Sequence, residues 1–211
     1  MASLDDRLNA GAIPAIAILR GIDPNAAADI GRVLVGAGIT LLEVPLNSPR
    51  PLDSIAALLD AVGNQAVVGA GTVLTVDQVR DLARIGGQIA VSPNADPAVI
   101  GAARDHGIEP LPGVMSPTEA FAALAAGARK LKLFPASSLA HGHCKAMKEV
   151  LPAGTEIWAV GGVSADNCRD WIAAGCRGVG IGGSLFRPGD TPGEVAARAR
   201  AIVSQLSEIR T

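Results

Sequence analysis

The sequence predicts an α/β protein folded as a (β/α)8 barrel. Three observations carry that prediction. Short apolar runs recur about every 20 to 25 residues along the 211-residue chain. Helical stretches with defined starts and glycine ends lie between them. The unusual polar residues fall at the C-terminal ends of the runs, where barrels of this type keep their chemistry.

The runs, in order, are "IPAIAILRG", "TLLEVPLNS", "AVVGAGTVL", "QIAVSPN", "EPLPGV", "KLKLFPAS", "EIWAVGGV" and "GVGIGGSLF". They are continuously apolar rather than alternating, which is the mark of strands buried on both faces of a parallel sheet. "DPNAAADIGRVLVGAG" predicts a helix with Asp23 as N-cap and Pro24 at the first helical position. "SPTEAFAALAAGA" repeats that start with Ser116 and Pro117, and Glu119 completes a capping box. "TVDQVRDLARIGG", "DPAVIGAARDHG" and "SADNCRDWIAAG" read the same way, and most of these stretches stop at a glycine. "SLDDRLNAG" predicts a short helix over the barrel bottom, and "TPGEVAARARAIVSQLSEIR" a closing helix. Alternating β and α units of this number in a chain of this length fit a closed barrel, so residues 1–211 are expected to form one domain.

Composition narrows the function classes. Hydrophobic residues make up 49% of the chain and aromatics 2%, with no tyrosine, so the core must be built from Ala, Val, Ile and Leu. A net charge of -2 offers neither a basic patch nor an aromatic platform for nucleic acid. Cys144, Cys168 and Cys176 lack metal-site or CxxC spacing, and with no secretory signal the expected location is the reducing cytoplasm. No apolar run is long enough to span a bilayer.

Lys132 lies between Leu131 and Leu133 in a run that should be buried. Burial disfavours the ammonium form and lowers the pKa. A neutral amine in such a place is a nucleophile for a ketone carbonyl, and the product is a Schiff base. Glu43, in "LLEVPL", places a carboxylate in the same barrel interior, where it can serve as general acid and base. A buried structural ion pair is the alternative reading for both residues. Lys130 has the same strand parity but sits about 7 Å nearer the barrel bottom, and is expected to reach solvent at the strand start.

The glycines of the last two runs, Gly161 and Gly162, then Gly182 and Gly183 with Ser184, stand where barrels commonly bind phosphate through backbone N–H groups and a helix N-terminus. Arg20 ends the first run and can hold a carboxylate or a phosphate. Thr72 offers a hydroxyl at the rim of the third, and Pro93 ends the fourth. His141 and His143 lack the further ligands a metal site needs. Trp158 and Trp171 read as core residues.

The segments "AILRG", "LEVPLNSP", "GAGTVL", "VSPN", "LPGV", "KLFPAS", "AVGGV" and "GIGGS", in this order from about Ile13 to Phe186, resemble the bacterial 2-keto-3-deoxy-6-phosphogluconate and -galactonate aldolases. The resemblance implies a class I aldolase on a (β/α)8 barrel, commonly a homotrimer, working through a covalent Schiff base without a metal. It implies Lys132 as the Schiff-base lysine, Glu43 as acid/base and Thr72 against the pyruvate carboxylate. It also puts Pro93 among the substrate-facing residues and the phosphate on Gly161, Gly162, Gly182, Gly183 and Ser184. Two positions depart from the phosphogluconate pattern "LEVTLRT". Asn47 stands where that branch has an arginine for the carboxylate, and Val160 stands where it has a threonine. Both departures point to the galactonate branch, with Arg20, or less strongly Arg50, as the cation for the carboxylate.

The implied reaction is cleavage of 2-dehydro-3-deoxy-6-phosphogalactonate to pyruvate and glyceraldehyde 3-phosphate. The gluconate epimer, use of both epimers, and a non-catalytic sugar-phosphate-binding barrel remain open at this level.

Overall fold

The structure is a computed structural model that describes residues 3–208. Its strands are β1 (Ala15–Ile18), β2 (Leu41–Pro45), β3 (Val67–Gly71), β4 (Ile89–Val91), β5 (Glu109–Leu111), β6 (Gly113–Val114), β7 (Lys130–Leu133), β8 (Glu156–Val160) and β9 (Gly178–Ile181). All pairings are parallel, in the order β5-β4-β3-β2-β1-β9-β8-β7-β6. The two ends of this list are halves of a single predicted run, divided at Pro112. β5 pairs with β4, and β6 with β7. The Pro112 carbonyl accepts a hydrogen bond from Lys132 N at 2.8 Å, which carries the ladder across the break and closes the barrel. Pro112 has no N–H to give its other neighbour, so regular pairing lapses there. The predicted (β/α)8 barrel is therefore the observed architecture, with its fifth strand interrupted.

The helices are α1 (Leu4–Asn9), α2 (Pro24–Gly36), α3 (Pro51–Val62), α4 (Val76–Arg84), α5 (Pro97–Asp105), α6 (Pro117–Ala125), α7 (Gly142–Val150), α8 (Cys168–Ala173) and α9 (Pro192–Ser207). The caps read from sequence are in place except at α8, which starts from Asn167 without a side-chain cap bond. Asp23 caps α2, Thr75 α4, Asp96 α5 and Ser116 α6, the last with the predicted Glu119 box. Each such cap is worth about 1 kcal/mol. Gly38, Gly86, Gly107, Gly127 and Gly175 follow helix ends with positive φ, the left-handed turn that glycine adopts without strain. The end of the predicted closing helix, residues 209–211, lies outside the described residues.

The apolar core has two parts. Helices pack on the outside of the sheet, with residues such as Leu34, Leu58 and Leu82 fully buried. A smaller cluster fills the lower barrel: Ile16, Leu41, Val67, Ile89, Val91, Leu111 and Trp158, sealed by Leu4 and Leu8 of α1. Trp158 supplies the bulk that an interior poor in aromatics otherwise lacks. It needs Gly178 opposite, because a Cβ there would lie 2.4 Å from the indole. Burying Leu4 and Leu8 contributes roughly 1.5–3 kcal/mol each, enough to hold a helix of six residues that would not form alone.

One expectation is corrected at the barrel bottom. Lys130 does not reach solvent: it is 3% exposed. Its ammonium sits 2.8 Å from Asp5 Oδ1 on α1 and 3.7 Å from Glu109 Oε2 on β5. The inward parity that aims Lys132 into the barrel also aims Lys130 inward, and carboxylates from α1 and β5 meet it there. Among the described residues, no helix is long and apolar enough to cross a membrane.

Candidate active site

At the C-terminal end of the barrel a cavity of about 380 Å³ opens, lined by residues that include Arg20, Glu43, Thr72, Lys132, Phe134 and Val160 together with the glycine loops after β8 and β9. The parallel register explains the gathering. Ile18 is level with Glu43 and Val160 with Gly180, and the side chains of Ile18, Glu43, Lys132 and Val160 all line the cavity above the packed lower barrel.

Lys132 is 6% exposed and Glu43 2%. Burial pulls the Lys132 amine below its ordinary value. The Glu43 carboxylate opposes that shift, and the Arg20 charge adds to it. Burial also pushes the Glu43 carboxyl up to about 7, against the pull of Lys132 and Arg20. Glu43 Oε2 is buried without a hydrogen-bond partner. The Lys132 amine lies 4.3 Å from the centre of the Phe134 ring, which shields it from water on one side. Burial thus favours the neutral form of the amine, and the carboxyl can carry a proton near neutral pH.

Arg20 lines the cavity, and its Nη1 donates to Asn47 Oδ1 at 2.5 Å. Asn47 does not line the cavity itself. Thr72 does, with φ at +54°, a left-handed conformation rare for a β-branched residue and costing about 1–3 kcal/mol. The backbone on either side is tied down: Leu46 N donates to Gly71 O at 2.8 Å, and Val73 N to Val91 O at 3.1 Å. Pro93 and Arg50 lie outside the cavity lining. Pro93 packs its carbonyl close to Gly113, where a Cβ would come within 2.3 Å, and Arg50 pairs with Asp53 at 3.6 Å.

The glycine loops have their carbonyls occupied. Gly161 O accepts from Ser137 N, Gly162 O from Asn167 Nδ2, Gly182 O from Leu185 N and Phe186 N, and Gly183 O from Arg187 Nε. Ser184 Oγ donates to Val163 O at 2.6 Å. The backbone N–H groups are then what these loops have to offer an anion, and Gly161 and Gly162 both have positive φ, a backbone that glycine adopts without strain. α9 begins only at Pro192. The loop after β9 therefore presents its own turn amides, not the helix N-terminus expected from sequence.

Sequence reading missed Phe134, Ile18, Val163 and Ser164 as cavity residues. Phe134 could have been found, since it follows Lys132 with the same strand parity. His141 and His143 stay apart from this site. His141 stacks edge-on against Trp171, and His143 Nε2 lies 2.9 Å from Met115 O. Among the described residues, no three His, Cys, Asp or Glu side chains come together as a metal-ligand set.

Fold and site together define a parallel barrel whose C-terminal end pairs a desolvated amine with a carboxyl group, opposite amide-rich loops. The chain belongs to the KDPG and KHG aldolase family, whose model matches residues 5–197. A 2-dehydro-3-deoxy-6-phosphogalactonate aldolase from Escherichia coli (strain K12) is 47% identical over 197 residues, 93% of this chain and 96% of that protein. A probable 2-dehydro-3-deoxy-6-phosphogalactonate aldolase from Rhizobium meliloti (strain 1021) is 48% identical over 196 residues, 93% of this chain and 92% of that one. Among solved structures, one described as native KDPGal superposes with a TM-score of 0.91 at 45% identity, over 94% of this chain and 97% of that chain.

Proposed function

We propose that the protein is a class I aldolase that cleaves 2-dehydro-3-deoxy-6-phosphogalactonate to pyruvate and glyceraldehyde 3-phosphate, reversibly. Neutral Lys132 attacks the C2 ketone to give a carbinolamine, and loss of water gives the iminium. Removal of the C4 hydroxyl proton breaks the C3–C4 bond and sends its electron pair into the iminium, which becomes an enamine. Glyceraldehyde 3-phosphate leaves. Protonation of the enamine at C3 restores the iminium, and water then releases pyruvate and the free amine. The iminium is the electron sink throughout, so each step closes without a metal.

Glu43 moves the protons, since a carboxyl titrating near 7 is suited both to give and to accept them. Thr72 and Arg20 serve the carboxylate end. Gly161, Gly162, Gly182, Gly183 and Ser184 serve the phosphate. Val160, buried in the wall between these ends, gives the C4 hydroxyl an apolar neighbour. The galactonate epimer is favoured by this wall and by the two aldolases of that name at nearly half identity. A cytoplasmic homotrimer is part of the same reading, and the exposed Leu74, Met115 and Phe121 side chains are available for subunit contacts.

The observation that carries the proposal is a buried amine and a buried carboxyl facing one cavity. Binding a sugar phosphate needs neither. The test is borohydride reduction in the presence of pyruvate, followed by intact mass. The unsubstituted protein should gain one reduced pyruvate adduct, and Lys132→Met should gain none. Labelling that persists in Lys132→Met would place the nucleophile elsewhere, and no labelling of the unsubstituted protein would leave a binding protein.

A further inference from the structure

Arg20 stands at a division in the barrel. β1 lies between β9 and β2 in the sheet. A guanidinium at the end of β1 can therefore turn toward the β9 loop, with Gly182 and Gly183, or toward the ends of β2 and β3, with Glu43 and Thr72. The proposed function needs a cation at the carboxylate end, and the phosphate end already has its amides.

The loop after β2 makes the choice. Arg20 Nη1 donates to Asn47 Oδ1 at 2.5 Å, and in the next residue pair Gly21 N donates to Ser48 Oγ at 2.9 Å. Asn47-Ser48 thus grips Arg20-Gly21 at both the side chain and the backbone. Gly21 has φ at +78° and sits against Pro188, which limits how far the segment can shift. The bond to Asn47 draws the guanidinium to the β2 side, and the Arg20 charge acts on both Glu43 and Lys132. Asn47 is neutral, so it orients Arg20 without cancelling its charge. A carboxylate in that place would form an ion pair and compete with the substrate.

We infer that Asn47 is a positioning residue that holds Arg20 on the pyruvate-carboxylate side of the cavity and away from the phosphate loops. It acts through Arg20 and does not touch substrate. The inference rests on the aldolase reading.

Two half-saturation constants test it. The first is for pyruvate in borohydride trapping, which involves the carboxylate end alone. The second is for glyceraldehyde 3-phosphate in the condensation direction at saturating pyruvate, which reports the phosphate end. Asn47→Ala should raise the pyruvate constant about tenfold, the loss expected for one charge-assisted hydrogen bond that orients a ligand, and leave the second within about twofold. Asn47→Asp should also weaken pyruvate, by adding the competing charge. Arg20→Ala/Asn47→Ala should be no worse for pyruvate than Arg20→Ala alone, because Asn47 has nothing left to position. A merely structural Asn47 would shift both constants together or add its loss to that of Arg20→Ala, and either result overturns the inference. No trapping of pyruvate by the unsubstituted enzyme would instead overturn the aldolase reading, and the role of Asn47 with it.

Discussion

The Glu43 carboxylate lies directly over the backbone of Gly71: a Cβ built on Gly71 would come within 2.0 Å of Glu43 Oε2. β2 and β3 are paired in register, with Pro45 level with Gly71, so the space above Gly71 is where Glu43 must lean to reach the cavity. A methyl group there forces the carboxylate aside. Gly71→Ala should therefore fold, because Gly71 lies at the strand end, but lower kcat about a hundredfold, the order of loss that a displacement of about 1 Å can cause. Circular dichroism and steady-state kinetics together check this. A Gly71→Ala enzyme with unchanged kcat would show that Glu43 need not sit where it does.

The pH profile of trapping follows from the same pair. Glu43 is raised to about 7 because burial disfavours its charged form, and the Lys132 amine is lowered by burial. As pH falls through about 7, Glu43 takes up a proton and can no longer accept one from the Lys132 amine. The amine then has no base beside it, and the nucleophile is lost. The rate of pyruvate trapping should fall below about pH 7 with unit slope, far above the ordinary carboxylate range. In Glu43→Gln the plateau should drop by a factor of about 10²–10⁴, and the limb near 7 should disappear. A limb that persists unchanged in Glu43→Gln would assign it to another group.

The fold was legible because its signals are local. Strands read as short continuous apolar runs, and the helices recognised from sequence were mostly those with a side-chain cap and a glycine stop. α3 and α7 lack a side-chain cap, and the structure shows how they start instead. α3 starts from Arg50 in a left-handed conformation and α7 from His141, and neither has a side-chain cap bond. Their helicity comes from packing, through Ile55 and Leu58 or Cys144 and Met147. Lys130 was misread for a related reason. Its partner Asp5 is 125 residues away in sequence, and nothing in "RKLKL" announces it. The buried Lys132 and Glu43 were legible because charged residues stand out in apolar strands. The bond between Asn47 and Arg20 was not, because it joins loops 27 residues apart.

Val160 separates the two epimers in the proposed function. It is 3% exposed and packs over Gly180, where an added Cβ would lie only 2.8 Å from its Cγ2. The substrates differ in the direction of one hydroxyl at C4. A threonine of the same shape can hydrogen-bond that hydroxyl in one direction, and valine cannot. Val160→Thr should move the ratio of kcat/KM toward the gluconate epimer by about tenfold. Pyruvate release from each epimer, coupled to lactate dehydrogenase, measures it. An unchanged ratio would remove Val160 from the specificity of the enzyme.

Lys130 and Lys132 share a strand and a parity, yet the structure gives them different surroundings. Lys130 closes the barrel bottom against Asp5 and Glu109, with side-chain exposures of 4%, 55% and 19%. Lys130→Met keeps the apolar stem and removes the charge. Glu109, whose Oε1 is already buried without a partner, then loses its main cation, and α1 loses a tether. Breaking a fully buried pair costs about 3–5 kcal/mol. With Asp5 more than half exposed, about 2 kcal/mol is expected here. The deficit should depend on pH. Burial holds the Glu109 carboxyl above its ordinary value and Lys130 draws it back, so the variant raises it further. A carboxyl raised in the folded state binds its proton more tightly there than in the unfolded chain, so stability falls as pH rises through that window. The loss in Lys130→Met should be largest at neutral pH and shrink toward about pH 4, the ordinary glutamate range, as followed by urea unfolding. Pyruvate trapping well below the melting temperature should be unchanged, because Lys132, Glu43 and Arg20 stay in place. A folded Lys130→Met protein that no longer traps pyruvate would mean that the lower lysine takes part in the chemistry of the upper one.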